Sequence, residues 1–377
     1  MNILIIGYRR IPAIARLLSR IKEYDLCPKN IFLCIDGPAD KDHVRNVLKE
    51  HFQHLNIEVV TQEINLGLKE HVIFACDLAS QYGDFIVLEE DCDISPSILE
   101  FAASAVDFYR HDAKIAGVSL YRYSNIEMSN TRFTPINDGA DVFFMKVPSS
   151  SGQCWTNEQW GLFKSWLHLN DDRLDVMYEN IPKKVAEWPN NSWKKMFWAY
   201  IADTNKYFVY PYVSLSTNVS DGGGENIPNS TSYFQVPLMY GTKADYNFTS
   251  FDQSKICYDQ FFELEALKDP SLYGLPSHSK IAINLHGLRT LDKPEYDYIL
   301  GYGGLSPFKT FGLSYKPVEL NVLMGHHGDV ITLSQEVTGQ YYDFEYLTGL
   351  KFHNKNFLMW LLKTLFEKLK VILRVKV

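Results

Sequence analysis

The first hundred residues alternate strand-like apolar runs with amphipathic stretches, and this limits the possible folds more than any other feature of the chain. Ile3 to Gly7 reads as a strand, Pro12 to Tyr24 as a helix, and Asn30 to Ile35 as a second strand ended by Asp36-Gly-Pro38. A helix pattern from about Asp40 to Phe52, a strand over Ile57 to Thr61 and a helix over Lys69 to Gln81 lead to another strand at Phe85. Strands separated by helix-length segments predict parallel βαβ units with right-handed crossovers. Ile115 to Leu120 and Val142 to Val147 add further strands, and helical stretches fall near 158 to 169 and 193 to 203. From about 236 the pattern changes to short strand-like pieces and Gly-rich turns such as Gly301-Tyr-Gly-Gly304, an accessory segment packed on the main domain.

The strand Phe85-Ile-Val-Leu-Glu-Glu-Asp-Cys-Asp93 ends in four carboxylates within five residues. Mutual repulsion and desolvation make such a cluster costly unless a cation offsets it, and carboxylate oxygens suit hard Mg²⁺ or Mn²⁺. Asp91 and Asp93 are the expected metal ligands. The Ile94-Ser-Pro-Ser97 stretch stops the strand, and Ser95 or Ser97 would cap a helix beginning near Ile98. The acids therefore lie at the carboxyl end of a strand, where open α/β sheets bind ligands. A solvated turn would show the same Asp-x-Asp pattern; the preceding hydrophobic run and the intervening Cys92 favour the metal.

The 377 residues, 46% hydrophobic and 14% aromatic, suffice for one large core or two and exclude a disordered chain. A net charge of −8 argues against general nucleic-acid binding. Six cysteines without C-x-x-C spacing, several in apolar runs, read as reduced thiols of a cytosolic protein. The apolar start Met1 to Gly7 has no basic leader and reads as a strand, not a signal peptide, and no segment reaches transmembrane length. His326-His327 is a polar turn before it is a metal site, because no acidic or cysteine partner has ligand spacing with it.

The stretch 356 to 377 carries a polar stripe at Lys363, Glu367, Lys370 and Arg374 opposite Phe357, Leu358, Trp360, Leu361, Leu365, Leu369 and Ile372. A basic amphipathic helix with Trp and Phe suits an anionic membrane interface. The competing reading is a helix docked on the protein itself or on a second subunit of a homo-oligomer; the excess of basic residues favours the membrane.

Four segments resemble metal-dependent glycosyltransferases of the GT-A fold, in particular N-acetylglucosaminyltransferase I and related bacterial enzymes of surface-polysaccharide synthesis. They are Ile3-Leu-Ile-Ile-Gly-Tyr-Arg-Arg10, Phe32-Leu-Cys-Ile-Asp-Gly37, Asn65-Leu-Gly-Leu-Lys-Glu70, and Glu89-Glu-Asp91 with Ile94-Ser-Pro96. The resemblance implies an α/β Rossmann-like domain over 1 to 270, with a nucleotide-sugar half over 1 to 125 and an acceptor half over 126 to 270. An accessory segment over 271 to 355 and the membrane-association helix over 356 to 377 would follow. It further implies that Asp91 ligates Mn²⁺ or Mg²⁺, Glu90 lies near the ribose and diphosphate, Asp36 accepts from the uracil of a UDP-sugar, and Arg9 and Lys69 face the diphosphate. Asp93 has no firm counterpart in the family motif; its place as second ligand rests on the Asp-x-Asp spacing.

On the acceptor side, Ser151-Gly-Gln-Cys-Trp155 resembles the family's Gly-and-Trp loop, and Tyr210 to Asn218 with Asp221-Gly-Gly-Gly224 resembles a strand and glycine-rich loop of the bacterial relatives. The family's catalytic aspartate falls on Asn190 or Asn191 in Glu187-Trp-Pro-Asn-Asn-Ser-Trp193, and asparagine cannot act as a base. Glu187 takes that role with a shifted loop, or Glu158 takes it, or the transfer does not invert. The expected function is transfer of a sugar from a nucleotide donor to a bacterial surface glycan or lipid-linked acceptor at the inner face of the cell membrane. The alternatives are a sugar nucleotidyltransferase, disfavoured by the single glycine in Gly7 to Pro12, and a non-catalytic glycan-binding scaffold, supported by the missing aspartate.

Overall fold

The computed structural model describes residues 1–37, 55–170, 181–222, 229–289, 291 and 295–339, with positions 44, 46, 48 and 52 in addition. The expected terminal helix over 356 to 377 lies outside the described residues, as does most of the helix pattern over 40 to 52.

The amino-terminal part follows the expected alternation: β1 (Asn2–Gly7), α1 (Ile11–Glu23), β2 (Ile31–Ile35), β3 (Ile57–Thr61), α2 (Leu68–Ser80), β4 (Phe85–Glu89), β5 (Cys92–Ile94), α3 (Ile98–Tyr109) and β6 (Ile115–Ser119). Next come a two-residue hairpin, β7 (Asn125–Ile126) and β8 (Thr131–Arg132), and then β9 (Val142–Met145), β10 (Gln153–Trp155) and α4 (Asn157–Asn170). The short α5 (Lys183–Ala186), α6 (Trp193–Thr204), β11 (Tyr207–Pro211), β12 (Ser216–Asn218) and β13 (Cys257–Tyr258) complete this part.

Nine of these strands form one mixed sheet in the order β13-β9-β11-β6-β10-β4-β1-β2-β3. β1, β2, β3 and β4 are parallel, with Ile3 opposite both Ile31 and Ile86. All six residues of β1 and all five of β2 are buried, which is why these strands read as continuous apolar runs. Alternate residues serve two cores: Ile86 and Leu88 pack with α1 and α3, while Phe85 and Val87 pack with α2, α4 and α6. Gly7 lets the helix approach the strand, since a Cβ there would lie 2.9 Å from Ile14 Cδ1.

β10 differs from the expectation of a loop. It inserts between β4 and β6, antiparallel to both, pairing Trp155 with Phe85 and Gln153 with Val87 and Ser119. Gly152 precedes it at φ +105°, where a Cβ would fall 2.3 Å from Ser216 Oγ, so only glycine fits. Beyond the large sheet, β14 (Ile281–Ile283), β15 (Tyr298–Gly304), β16 (Lys309–Phe311), α7 (Glu319–Leu323), β17 (Ile331–Ser334) and β18 (Val337–Gly339) build a second, five-stranded sheet. Leu300, Tyr302, Phe311, Ile331 and Leu333 join it to the same hydrophobic core as the α2 face of the large sheet. Among the described residues no helix is long and apolar enough to cross a membrane.

Candidate active site

Because β1, β2 and β4 are parallel, the segments that follow them emerge at one sheet edge: Tyr8 to Arg10, Asp36 and Glu89 to Asp91. β4 then gives way to β5, which pairs with β12 and fixes the loop through Val219 N–H donating to the Asp91 carbonyl at 2.8 Å.

The cation that the acid cluster demands is supplied within the chain, and its source is Arg10. Its Nε lies 3.1 Å from Glu90 Oε1, one Nη 3.4 Å from Asp91 Oδ2, and the other 3.4 Å from Asp221 Oδ1. Arg9, the expected diphosphate cation, is exposed, with its guanidinium 4.3 Å from the Tyr8 ring centre. Lys69 sits in the first turn of α2 beside Glu70 at 3.6 Å. Burial raises the Glu90 carboxyl despite its pairing with Arg10. Asp91 keeps one oxygen, Oδ1, buried and without a partner. Such an oxygen costs about 1–3 kcal/mol or more unless a ligand satisfies it, and a carboxylate can be satisfied by a hard cation. Among the described residues no group of three or more His, Cys, Asp or Glu side chains could hold a metal ion. A metal here would take Asp91 from the protein and most of its remaining oxygens from a bound phosphate or water, in the manner of Mg²⁺.

Asp93, the expected second ligand, is engaged within the chain. Asp93 Oδ1 accepts from Arg20 Nε at 3.1 Å and from its neighbour's backbone N–H, Ile94 N, at 2.9 Å. Arg10 and Arg20 lie ten residues apart along α1 and its cap, about 15 Å at 1.5 Å per residue, so the two aspartates serve different cations. Asp36, the expected uracil partner, is likewise engaged within the chain. Its two oxygens accept from Leu66 N–H at 2.8 Å and Gly67 N–H at 3.0 Å, with His71 Nδ1 3.9 Å away, so it fastens the 65–67 loop and is only 7% exposed.

Glu158 is not brought to this edge. β10 runs opposite to β4, so the chain leaves Trp155 beside Phe85, at the amino end of β4, and Glu158 sits exposed in the first turn of α4. Glu89 lies at the other end of that strand. Glu187 is the exposed C-cap of α5. Asn190, at the position of the family's acid, is engaged: its Oδ1 accepts from Lys195 Nζ at 2.9 Å, and that ammonium also donates to the Trp188 carbonyl at 2.8 Å.

The structure gathers instead a group that the sequence did not single out. Glu89 follows Phe85 and Val87 to the α6 face of the sheet. Burial, with the charges of Asp91 and Glu90 behind it, pushes its carboxyl up to about 8, against Lys194 and a hydrogen bond with Trp193. Lys194 Nζ lies 3.4 Å from Glu127 Oε1, 5.4 Å from the Tyr123 ring centre and 5.5 Å from that of Trp188. Glu127 belongs to the turn between β7 and β8 and is one-quarter exposed. Its sequence setting, one acid in the tyrosine-rich stretch Tyr121 to Phe133, offered no signal beyond its isolation. A carboxylate, an ammonium and aromatic faces beside an acidic strand end can bind a hydroxylated ligand and accept a proton from it.

No family model matches the chain, and no curated protein matches it in sequence. Among solved structures, it is similar to the mannosyltransferase PcManGT from Pyrobaculum calidifontis in complex with GDP-Man and Mn²⁺, at 14% identity over 42% of this chain and 44% of that one, TM-score 0.30. It is similar to S. aureus TarS 1-349, at 14% identity over 59% and 61%, TM-score 0.37. It is also similar to GalNAc-T7 with UDP, GalNAc and Mn²⁺, at 11% identity over 56% and 42%, TM-score 0.37. The chain spans less than two thirds of each of these proteins. Superpositions this partial say nothing about chemistry, and the α/β architecture rests on the strand order and register themselves.

Proposed function

We propose that the chain is a GT-A-type, metal-dependent glycosyltransferase that moves a hexosyl or N-acetylhexosaminyl group from a nucleotide-sugar donor, a UDP-sugar first, to a bacterial surface glycan or lipid-linked acceptor. The observation that carries this reading is the buried, unpartnered Asp91 Oδ1 at the carboxyl edge of parallel strands, beside a carboxylate–ammonium–aromatic cluster. The nearer likeness to N-acetylglucosaminyltransferase I rests on the four sequence segments.

Asp91 would hold the metal, and a metal bound there supplies charge stabilisation for the departing diphosphate. Arg10 orients Glu90 and Asp91, and Arg9 and Lys69 stand at the same edge to offset phosphate charge. Trp188, half-buried, offers a face for a sugar ring. We assign the proton acceptor to Glu127, held beside Lys194, in preference to the solvent-directed Glu187. One observation favours the scaffold reading: Arg10 already neutralises Glu90 and Asp91 without a metal.

Thermal denaturation with UDP or GDP, each with and without Mn²⁺, separates the two. Binding to the native state raises the melting temperature by mass action. A UDP-dependent rise that needs Mn²⁺, and is lost in Asp91→Asn, is expected; no rise with any nucleotide at millimolar ligand sinks the transferase reading. The membrane-association helix is tested by vesicle sedimentation. A chain ended before Asn356 should stop pelleting with anionic vesicles that the full chain binds, and equal pelleting would remove the peripheral inner-membrane assignment.

A further inference from the structure

A cavity of about 260 Å³ lies between the β7–β8 hairpin and the second sheet, lined by Arg132, Phe133 and Thr134 on one side and by His286, Tyr302, Tyr315, Lys316 and Glu319 on the other. Its floor carries a buried pair whose hydrogen bonding is incomplete. Glu319 is 1% exposed and its Oε2 has no hydrogen-bond partner; His286, 8% exposed, sets Nε2 3.9 Å from the other Glu319 oxygen, within ion-pair reach but too far for a hydrogen bond. Buried groups left in this state are costly, so the cavity is built for an occupant that supplies what they lack.

The lining restricts what that occupant is. A carboxylate oxygen needs a donor, which excludes a purely apolar guest. Arg132 and Lys316, both exposed, disfavour a cation, and Glu319 disfavours an anion at the floor. A metal would need ligands that this group does not provide. A neutral molecule with adjacent hydroxyl groups meets every condition, because one O–H donates to Glu319 while a neighbouring oxygen pairs with His286. The rings of Phe133, Tyr302 and Tyr315 can cover its C–H face. The volume is just under the roughly 300–1,000 Å³ of ordinary small-ligand sites, which suits one sugar ring.

The cavity also has a neighbour. A more open groove of about 360 Å³ shares Arg132, Phe133 and Thr134 with it and runs past Arg122, Asn125 and Gln235. Asn125 is in the strand that leads directly into Glu127, and Glu127 meets Lys194. We propose that this cavity is a saccharide-binding site that holds one unit of a glycan chain whose other end lies along the groove toward Lys194 and Glu127. The identification of the chain as the acceptor rests on the transferase reading; the saccharide site itself does not.

The test is saturation-transfer NMR on the full chain with the methyl glycosides of glucose, galactose, mannose, N-acetylglucosamine and N-acetylgalactosamine, with UDP and Mg²⁺ present. Thr134→Trp, at an exposed position, plugs the shared mouth; Glu319→Gln replaces the buried acceptor with an amide of equal size. At least one glycoside is expected to bind. Each variant should weaken it by about tenfold or more, as the loss of one buried pairing implies, while UDP binding measured by calorimetry stays unchanged. No transfer to any glycoside, or undiminished transfer in Thr134→Trp, overturns the proposal. Glycoside binding without UDP binding would leave the saccharide site standing and remove the transferase reading, and the reverse result would do the opposite.

Discussion

Two regions of the molecule bury acidic groups, and they handle the charge differently. At the edge of the large sheet each acid has a counter-charge nearby: Arg10 for Glu90 and Asp91, Arg20 for Asp93, Lys194 for Glu127. Around the second sheet, Asp259 takes both cations of its neighbourhood, Lys268 at 3.0 Å and Arg289 at 2.6 Å, which hold it below its ordinary range despite burial. Glu263 and Glu319 are left with His286 between them. Burial pushes Glu263 up to about 7, and those two glutamates hold His286 above its ordinary value against the effect of burial. The first region sets a counter-charge beside these carboxylates at a ligand-binding edge, although burial still raises Glu89 and Glu90. The second leaves buried carboxylate oxygens, Glu263 Oε2 and Glu319 Oε2, without a hydrogen bond, the condition expected where something else is to bind.

The largest expected effect breaks the comparison on the first side. If Glu127 is the proton acceptor, Glu127→Gln should lower kcat by about 10²–10⁴-fold, the usual contribution of general base catalysis, while Glu187→Gln changes it little. Steady-state transfer to a suitable acceptor measures both. The reverse order would return the role to Glu187.

The next effect concerns the second region and is one of stability. Glu263 is fully buried, and its folded pKa of about 7 exceeds the ordinary value of 4.5. Between those values the native state keeps a proton that the unfolded chain has released, so stability falls as pH rises through this window and levels off above it. His286, raised by its partners, acts in the same direction, since its contribution is lost as pH rises through its folded pKa. The Glu263 shift is worth on the order of 3 kcal/mol. Glu263→Gln preserves an oxygen to accept from His286 N–H, now at 2.8 Å, and should flatten the decline in urea denaturation between pH 5 and about 7.5. An unchanged slope would mean that Glu263 is not the group that titrates.

What was legible in the sequence follows the same division. The parallel strands were visible because burial on both faces demands apolar runs such as Ile3 to Gly7 and Ile31 to Ile35. The acid cluster was visible because acids at a strand end are unusual. Which acid faces which cation was not visible, because Arg9 and Arg10 are neighbours and only the turn into α1 decides which guanidinium points at Glu90. Where Glu158 falls was not visible because β10 is three residues long and too short to announce itself, yet its antiparallel direction carries the start of α4 to the far end of β4. The cavity at Glu319 depends on contacts between positions about 180 residues apart in the chain, from Thr134 to Glu319, and no local pattern records such a meeting.

The smallest effect sharpens the boundary within the first region. Asp93 and Arg20 form a partly exposed pair, with side chains 18% and 37% accessible, and pairs of this kind contribute about 0–1 kcal/mol. Asp93→Asn should therefore shift the melting temperature by no more than a few degrees and leave the Mn²⁺-dependent response to UDP intact. Asp91→Asn, two residues away, should abolish that response. Loss of the response in both variants would restore Asp93 as a metal ligand and require the Arg20 pair to open when metal binds; loss in Asp91→Asn alone would confine the metal to the residue whose carboxylate oxygen lacks a partner.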